Sequence, residues 1–232
     1  MNYMKKNRKE GFTLLELLIV IAIIAILSVA LVLVLNPAET LKKSRDAQRF
    51  SDLATIKVAL ALYTTGTASP VLDGGSNTKC QSTTGTWAAG MDIFYSNATT
   101  GGGGLTITDT TLDGGVGSVP ASSQVATPSL TNSSGWVPVN FGLISGGSPI
   151  SNLPVDPINT IASASAITSG DLVYRYGCSI DPSAKYSFEV DSALESTAYT
   201  VTDNKMKSDG GNNDGYYEVG TNLGILGTGT DF

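Results

Sequence analysis

The feature that most limits what this chain can fold into is an apolar run of 24 residues from Phe12 to Leu35, interrupted only by Thr13, Glu16 and Ser28. As a helix it spans about 36 Å, enough to cross a hydrocarbon core of about 30 Å with some tilt. An ordinary secretory signal has a shorter apolar stretch ending at a small-residue cleavage site, whereas this run continues into a polar helical stretch. Lys5, Lys6, Arg8 and Lys9 precede the span and Lys42, Lys43, Arg45 and Arg49 follow it closely. Charge counting therefore does not set its orientation. Glu16 is the anomaly, because a charged, unpaired glutamate at the bilayer centre costs about 2.5–3.5 kcal/mol. It needs a partner or a shallow position.

The residues around that glutamate carry a resemblance. Lys9-Glu10-Gly11-Phe12-Thr13-Leu14-Leu15-Glu16-Leu17-Leu18-Ile19-Val20 resembles the processing motif of type IV prepilins and type II secretion pseudopilins, with a basic leader, a glycine, a phenylalanine and a glutamate at the fifth mature position. The resemblance implies cleavage between Gly11 and Phe12 by a prepilin peptidase and N-methylation of the new Phe12 amine. It implies a single-pass prepilin in the cytoplasmic membrane, leader inside and head outside, which then enters a cell-surface or periplasmic filament. It assigns Glu16 to assembly, where it neutralises the N-terminal amine of a neighbouring subunit. An ammonium and a carboxylate about 4 Å apart attract by about 4 kcal/mol at an effective dielectric of 20, enough to offset the cost of the buried charge. An inner-membrane assembly platform and cytoplasmic ATPases are the partners implied, besides the other subunits. Where many relatives carry a helix proline and a glycine, this chain has Leu33 and Ala25, so any melting of the helix on assembly would centre on Pro37.

The composition narrows the chemistry. Of the 232 residues none is histidine, which removes the commonest general base, the His-activated nucleophiles and the usual zinc sites. No catalytic constellation is evident, and the chain is read as a non-enzyme that requires no cofactor. Without the first eleven residues the chain keeps ten basic and nineteen acidic side chains, a charge of −9, so no global field draws it to nucleic acid. Cys80 and Cys178 lie beyond the apolar run, where an oxidising compartment permits a disulfide.

The expected fold is α+β: a long N-terminal helix, transmembrane and then amphipathic, packed against a small antiparallel sheet. The organisation is a leader (1–11), a hydrophobic helix (12–35), an amphipathic helix (36–64) and a head (65–232), the head loop-rich over 65–170 and sheet-forming over 171–232. Pro37 cannot donate to the carbonyl of Leu33, so a kink or short unwound stretch is expected in a helix that otherwise reaches about 78 Å from residue 12 to 63. Phe50, Leu53, Ile56, Leu60 and Tyr63 recur on one helical face. Asp46, Arg49 and Asp52 stand three apart on the more polar side. Met91–Tyr95 and Leu105–Thr108 are candidate strands. Leu172, Tyr174, Tyr176 and Cys178 alternate, as do Tyr186, Phe188 and Val190, predicting a hairpin, with a third strand from Tyr199–Thr202 or Tyr216–Val219.

Three weaker signals remain. Leu153-Pro154-Val155-Asp156-Pro157 resembles a segment of major pseudopilins. Asp209, Asn212 and Asp214, with Glu218 nearby, bring hard oxygen donors onto glycine-permitted turns and could hold calcium, without the spacing of an EF-hand. Asn97-Ala98-Thr99 and Asn132-Ser133-Ser134 fit the N-glycosylation triplet and are read as chance. The expected function is that of a structural subunit of a type IV pilus-like filament, the alternatives being a major pseudopilin of a secretion or DNA-uptake system and a minor pilin that acts as an adhesin.

Overall fold

A computed structural model describes residues 11–83, 87, 91–97, 107–109, 120–121, 127–161, 166–168, 170–183 and 185–227. The leader residues before Gly11 and the Asn97 triplet beyond its first residue lie outside that set. The chain divides between Leu41 and Lys42 into two compact units.

The first unit is dominated by helix α1, Leu14–Leu35. Asn36 ends it in the left-handed region (φ 37°), a conformation that asparagine tolerates better than most residues. Pro37 then opens a second helix, α2, Pro37–Gly66. Proline is suited to a first helical position, where its missing N–H would have no intrahelical partner. Asn36 accepts at its carbonyl from the N–H groups of Glu39 and Thr40. The kink or short unwound stretch expected at Pro37 is a break at Asn36, one residue before the proline, between two helices.

The second unit, from Lys42 on, is the α+β head. Its main sheet has the strand order β1-β5-β6-β7, antiparallel throughout, with β1 Phe94–Tyr95, β5 Tyr174–Ser179, β6 Ser187–Ser192 and β7 Tyr217–Gly220. The β5–β6 hairpin pairs Tyr176 with Val190 and Cys178 with Phe188, the alternation read from the sequence. The fourth strand is the Tyr216–Val219 candidate. Tyr199–Thr202 instead falls in a π-helical turn, Ala198–Thr202. A smaller sheet joins β2 Ile107–Asp109 to β3 Pro120–Ala121 and to β4 Ala166–Ile167.

One face of the main sheet presents Tyr174, Tyr176, Cys178, Phe188, Val190 and Val219 to Leu53, Ile56, Leu60 and Tyr63 of α2, all buried in one apolar cluster. This burial supplies the main drive for docking the helix segment. The opposite face is covered by Ile225 and Leu226, which join Trp87, Ile93, Tyr95, Ile167 and Val173 in a second cluster. A Cβ on Gly177 would stand 2.8 Å from Leu226 and 2.9 Å from Ile225, so only glycine lets that segment approach the sheet.

Side chains and one covalent bond order the Gly/Ser/Thr-rich stretch. Asp73 accepts from the N–H groups of Gly75, Asn77 and Lys79, an Asx-type arrangement that satisfies a turn's donors internally. Cys80 and Cys178, both buried, form a disulfide across 98 residues of sequence, which in the chain-entropy model removes about 4–5 kcal/mol of freedom from the unfolded chain.

Candidate functional site

The surface of α1 is its first notable property. From Phe12 to Leu35 the described side chains are exposed, among them Leu14 at 88% and Val34 at 83%. The helix is long and apolar enough to cross a membrane. Its entry is fixed by Thr13, whose hydroxyl accepts from the Glu16 N–H (3.2 Å) while Glu16 Oε2 accepts from both the Thr13 N–H and the Thr13 hydroxyl (2.9 Å each). This is a capping box, and it places a carboxylate where the first-turn N–H groups are otherwise unsatisfied. Thr-x-x-Glu is the sequence signature of that motif, and it was available in Thr13-Leu14-Leu15-Glu16. Gly11 and Phe12 precede the cap as exposed, non-helical residues. The three expected processing and assembly positions therefore sit together at one helix end.

In the head, the four residues expected to hold calcium, Asp209, Asn212, Asp214 and Glu218, have separate hydrogen-bond partners and surroundings. Asp209 uses both carboxylate oxygens on backbone donors, Gly211 N–H and Glu218 N–H, at 2.8 Å each. Asp214 is turned outward onto Lys207 (3.0 Å), both more than half exposed. Glu218 is buried and accepts from Asn213 N–H (3.0 Å), lying so close over Gly211 that a Cβ there would overlap its carboxylate. Asn212 keeps a buried Oδ1 without a partner. Among the described residues no group of three His, Cys, Asp or Glu side chains gathers in a way that could hold a metal ion. The turns direct Asp209 to the backbone and Asp214 to solvent, and they leave one oxygen each of Asn212 and Glu218 buried.

Residues 6–32 match the family model of the prokaryotic N-terminal methylation motif. The chain carries a prepilin-type signal. Neither the curated proteins nor the solved structures yield a match to it. The motif ties this prepilin-type chain to type IV pilins and pseudopilins, points to a structural protein, and implies processing by a prepilin peptidase and assembly of the pilus type. The exposed apolar α1 is consistent with membrane anchoring.

The prepilin-type head also contains a charged cluster that the sequence reading placed wrongly. Arg49 is not on an open polar face but fully buried, and it does not pair with Asp52. Its Nε and Nη2 donate to Asp156 (2.6 and 3.0 Å), and its Nη1 donates to Asp46 (2.8 Å) and Glu195 (2.7 Å). Arg45 adds a two-pronged pair to Glu195, 2.8 Å at each oxygen. Burial works against the Arg49 charge, and Asp156, Glu195 and Asp46 more than offset it, so its pKa lies above the usual arginine value. Glu195 is held down at about 2, chiefly by its hydrogen bonds from Arg45 and then Arg49. Asp52 instead accepts from the Tyr174 hydroxyl (2.9 Å). The Leu153–Pro157 segment supplies Asp156, and its Pro154 carbonyl accepts from the Trp136 indole (2.8 Å). That motif is a clamp on α2, built from a bidentate pair of the kind arginine favours.

Proposed function

We propose that this chain is a structural subunit of a type IV pilus-like filament. A prepilin peptidase removes the leader between Gly11 and Phe12 on the cytoplasmic face, the Phe12 amine is methylated, and the α1 helices of many copies then pack together with the heads outside the cell. The observation that carries the reading is the pairing of the methylation motif with an α1 whose described apolar side chains are exposed. Such a surface is stable only in lipid or against other helices. Glu16 supports it as well. Its capping hydrogen bonds use Oε2, which leaves Oε1 for the ammonium of a neighbouring subunit, so one residue can start its own helix and register the next.

The test is to shear filaments from cells that express the chain and sequence their subunit by mass spectrometry. A mature N-terminal peptide beginning at methylated Phe12, in filament-scale abundance, is the expected result. Recovery of the chain only as an unassembled membrane protein with an intact leader would overturn the reading. Rare copies confined to filament ends would shift it to a minor pilin, and short periplasmic filaments to a pseudopilin.

A further inference from the structure

A groove of about 440 Å³ opens beside the end of α2. Thr64 and Thr65 line it from that helix, Ser183, Lys185 and Tyr186 from the β5–β6 turn, and Thr221 from directly after β7. Its size suits a small ligand, for which sites of about 300–1,000 Å³ are usual. Tyr186 stands at φ 54°, a left-handed backbone in which a bulky side chain is a rare outlier. Strained residues of this kind collect at ligand sites, where the surrounding structure holds them in place. Tyr186 packs in part on the main apolar cluster and, being only half-buried, gives the groove an aromatic wall.

The polar groups around the groove have different hydrogen-bonding capacities. The hydroxyls of Thr64 and Thr65 both donate to the Ala61 carbonyl (3.1 and 2.7 Å), and that of Ser183 donates to Asp181. Each has used its only hydrogen and offers a ligand lone pairs alone. Thr221 is the reverse: its hydroxyl accepts from the Phe188 N–H (3.1 Å) and keeps its hydrogen to donate. Lys185 is exposed, has no ion pair among the described residues and adds an ammonium donor. This mixture selects the ligand. An oxyanion such as sulfate has no hydrogen for the three acceptor oxygens, and a metal ion meets an ammonium with no carboxylate in the lining. An apolar molecule leaves every polar group it covers unpaired. A ring with neighbouring hydroxyls donates and accepts at once, and its C–H face packs on an aromatic side chain.

We propose that this groove binds a neutral sugar ring. Thr64, Thr65 and Ser183 accept from its hydroxyls, Thr221 and Lys185 donate to them, and Tyr186 lies against its C–H face. The site is complete within one head and does not depend on assembly. A single sugar in an open groove makes few contacts, so its dissociation constant falls in the millimolar range. In the proposed filament, repetition of the site along the fibre raises the effective concentration and turns weak single contacts into firm attachment to a glycan-bearing surface.

The test is saturation-transfer NMR on the full chain as dispersed subunits, in a detergent without a sugar headgroup so that no glycoside competes. The probes are the methyl glycosides of glucose, galactose, mannose and N-acetylglucosamine, and linear neutral oligosaccharides of the same sugars. At least one probe should receive saturation. Thr65→Val and Lys185→Ala, both at exposed positions, should each weaken binding about five- to tenfold, and the double variant should abolish it with an unchanged melting curve. Thr55→Val, elsewhere on α2, should bind as the wild type does, and sodium sulfate should not displace the sugar. Transfer to the methyl glycosides marks a terminal sugar as the source, and transfer to the oligosaccharides alone marks an internal unit of a chain; both support the site. Absence of transfer from the wild type to every probe overturns the proposal whatever the variants do. So do wild-type binding by a folded double variant and displacement of the sugar by sulfate. Because the subunits are dispersed, failure here leaves the filament reading intact, and failure to form filaments leaves this one intact.

Discussion

Single residues in this chain carry two tasks more often than their spacing suggests. Glu16 closes a capping box and, in the proposed filament, meets a neighbour's amine, and the two roles separate by substitution. Glu16→Gln keeps an oxygen for the Thr13 N–H and removes the charge, whereas Glu16→Val removes both. Both variants should be cleaved at Gly11 and inserted in the membrane. Sheared filament yield should drop for Gln nearly as far as for Val if the charge registers subunits, and wild-type yield from Gln would reduce Glu16 to a helix cap. Arg49 is the second such residue. Arg49→Met would leave Asp46 and Asp156 buried with backbone donors alone, and losing one partner of a buried ionic cluster costs about 3–5 kcal/mol. Denaturant titration followed by fluorescence of the buried Trp136 would measure it.

At the scale of elements, what the sequence revealed and what it concealed divide along the range of the forces involved. The α1 run, the face of α2 and the β5–β6 alternation were legible because a helix or strand repeats its burial pattern every few residues. The break at Asn36 was legible to within one residue through Pro37. The burial of Arg49 was not, since its partners Asp156 and Glu195 lie 107 and 146 residues away and nothing local marks an arginine as interior. Asp46 and Arg49 looked like an ordinary exposed pair. The Asp209–Glu218 loop shows a related limit: donor count reads from sequence, donor direction does not. The clamp between α2 and Glu195 has its own acid signature. Glu195 is held at about 2 by Arg45 and Arg49 against about 4.3 for a free glutamate. Its contribution is therefore fully present above that ordinary value and lost as pH falls towards 2. The melting midpoint should decline below about pH 4, and Glu195→Gln should flatten that decline.

For the whole molecule, the clamp sets the acid limit of the head's stability, which holds above the ordinary glutamate range and declines below it as Glu195 takes up a proton. The described apolar side chains of α1 contribute nothing to that stability in water, because they stay exposed within their own unit.

The disulfide has a topological consequence. Cys80 and Cys178 close a covalent ring whose interior includes the whole stretch between them, so one proteolytic cut inside it opens the ring without shortening the molecule. A nicked subunit should run as a single intact band on a non-reducing gel and as two fragments once thiol is added, and fibres built from such subunits should survive a cut that would sever an unringed chain.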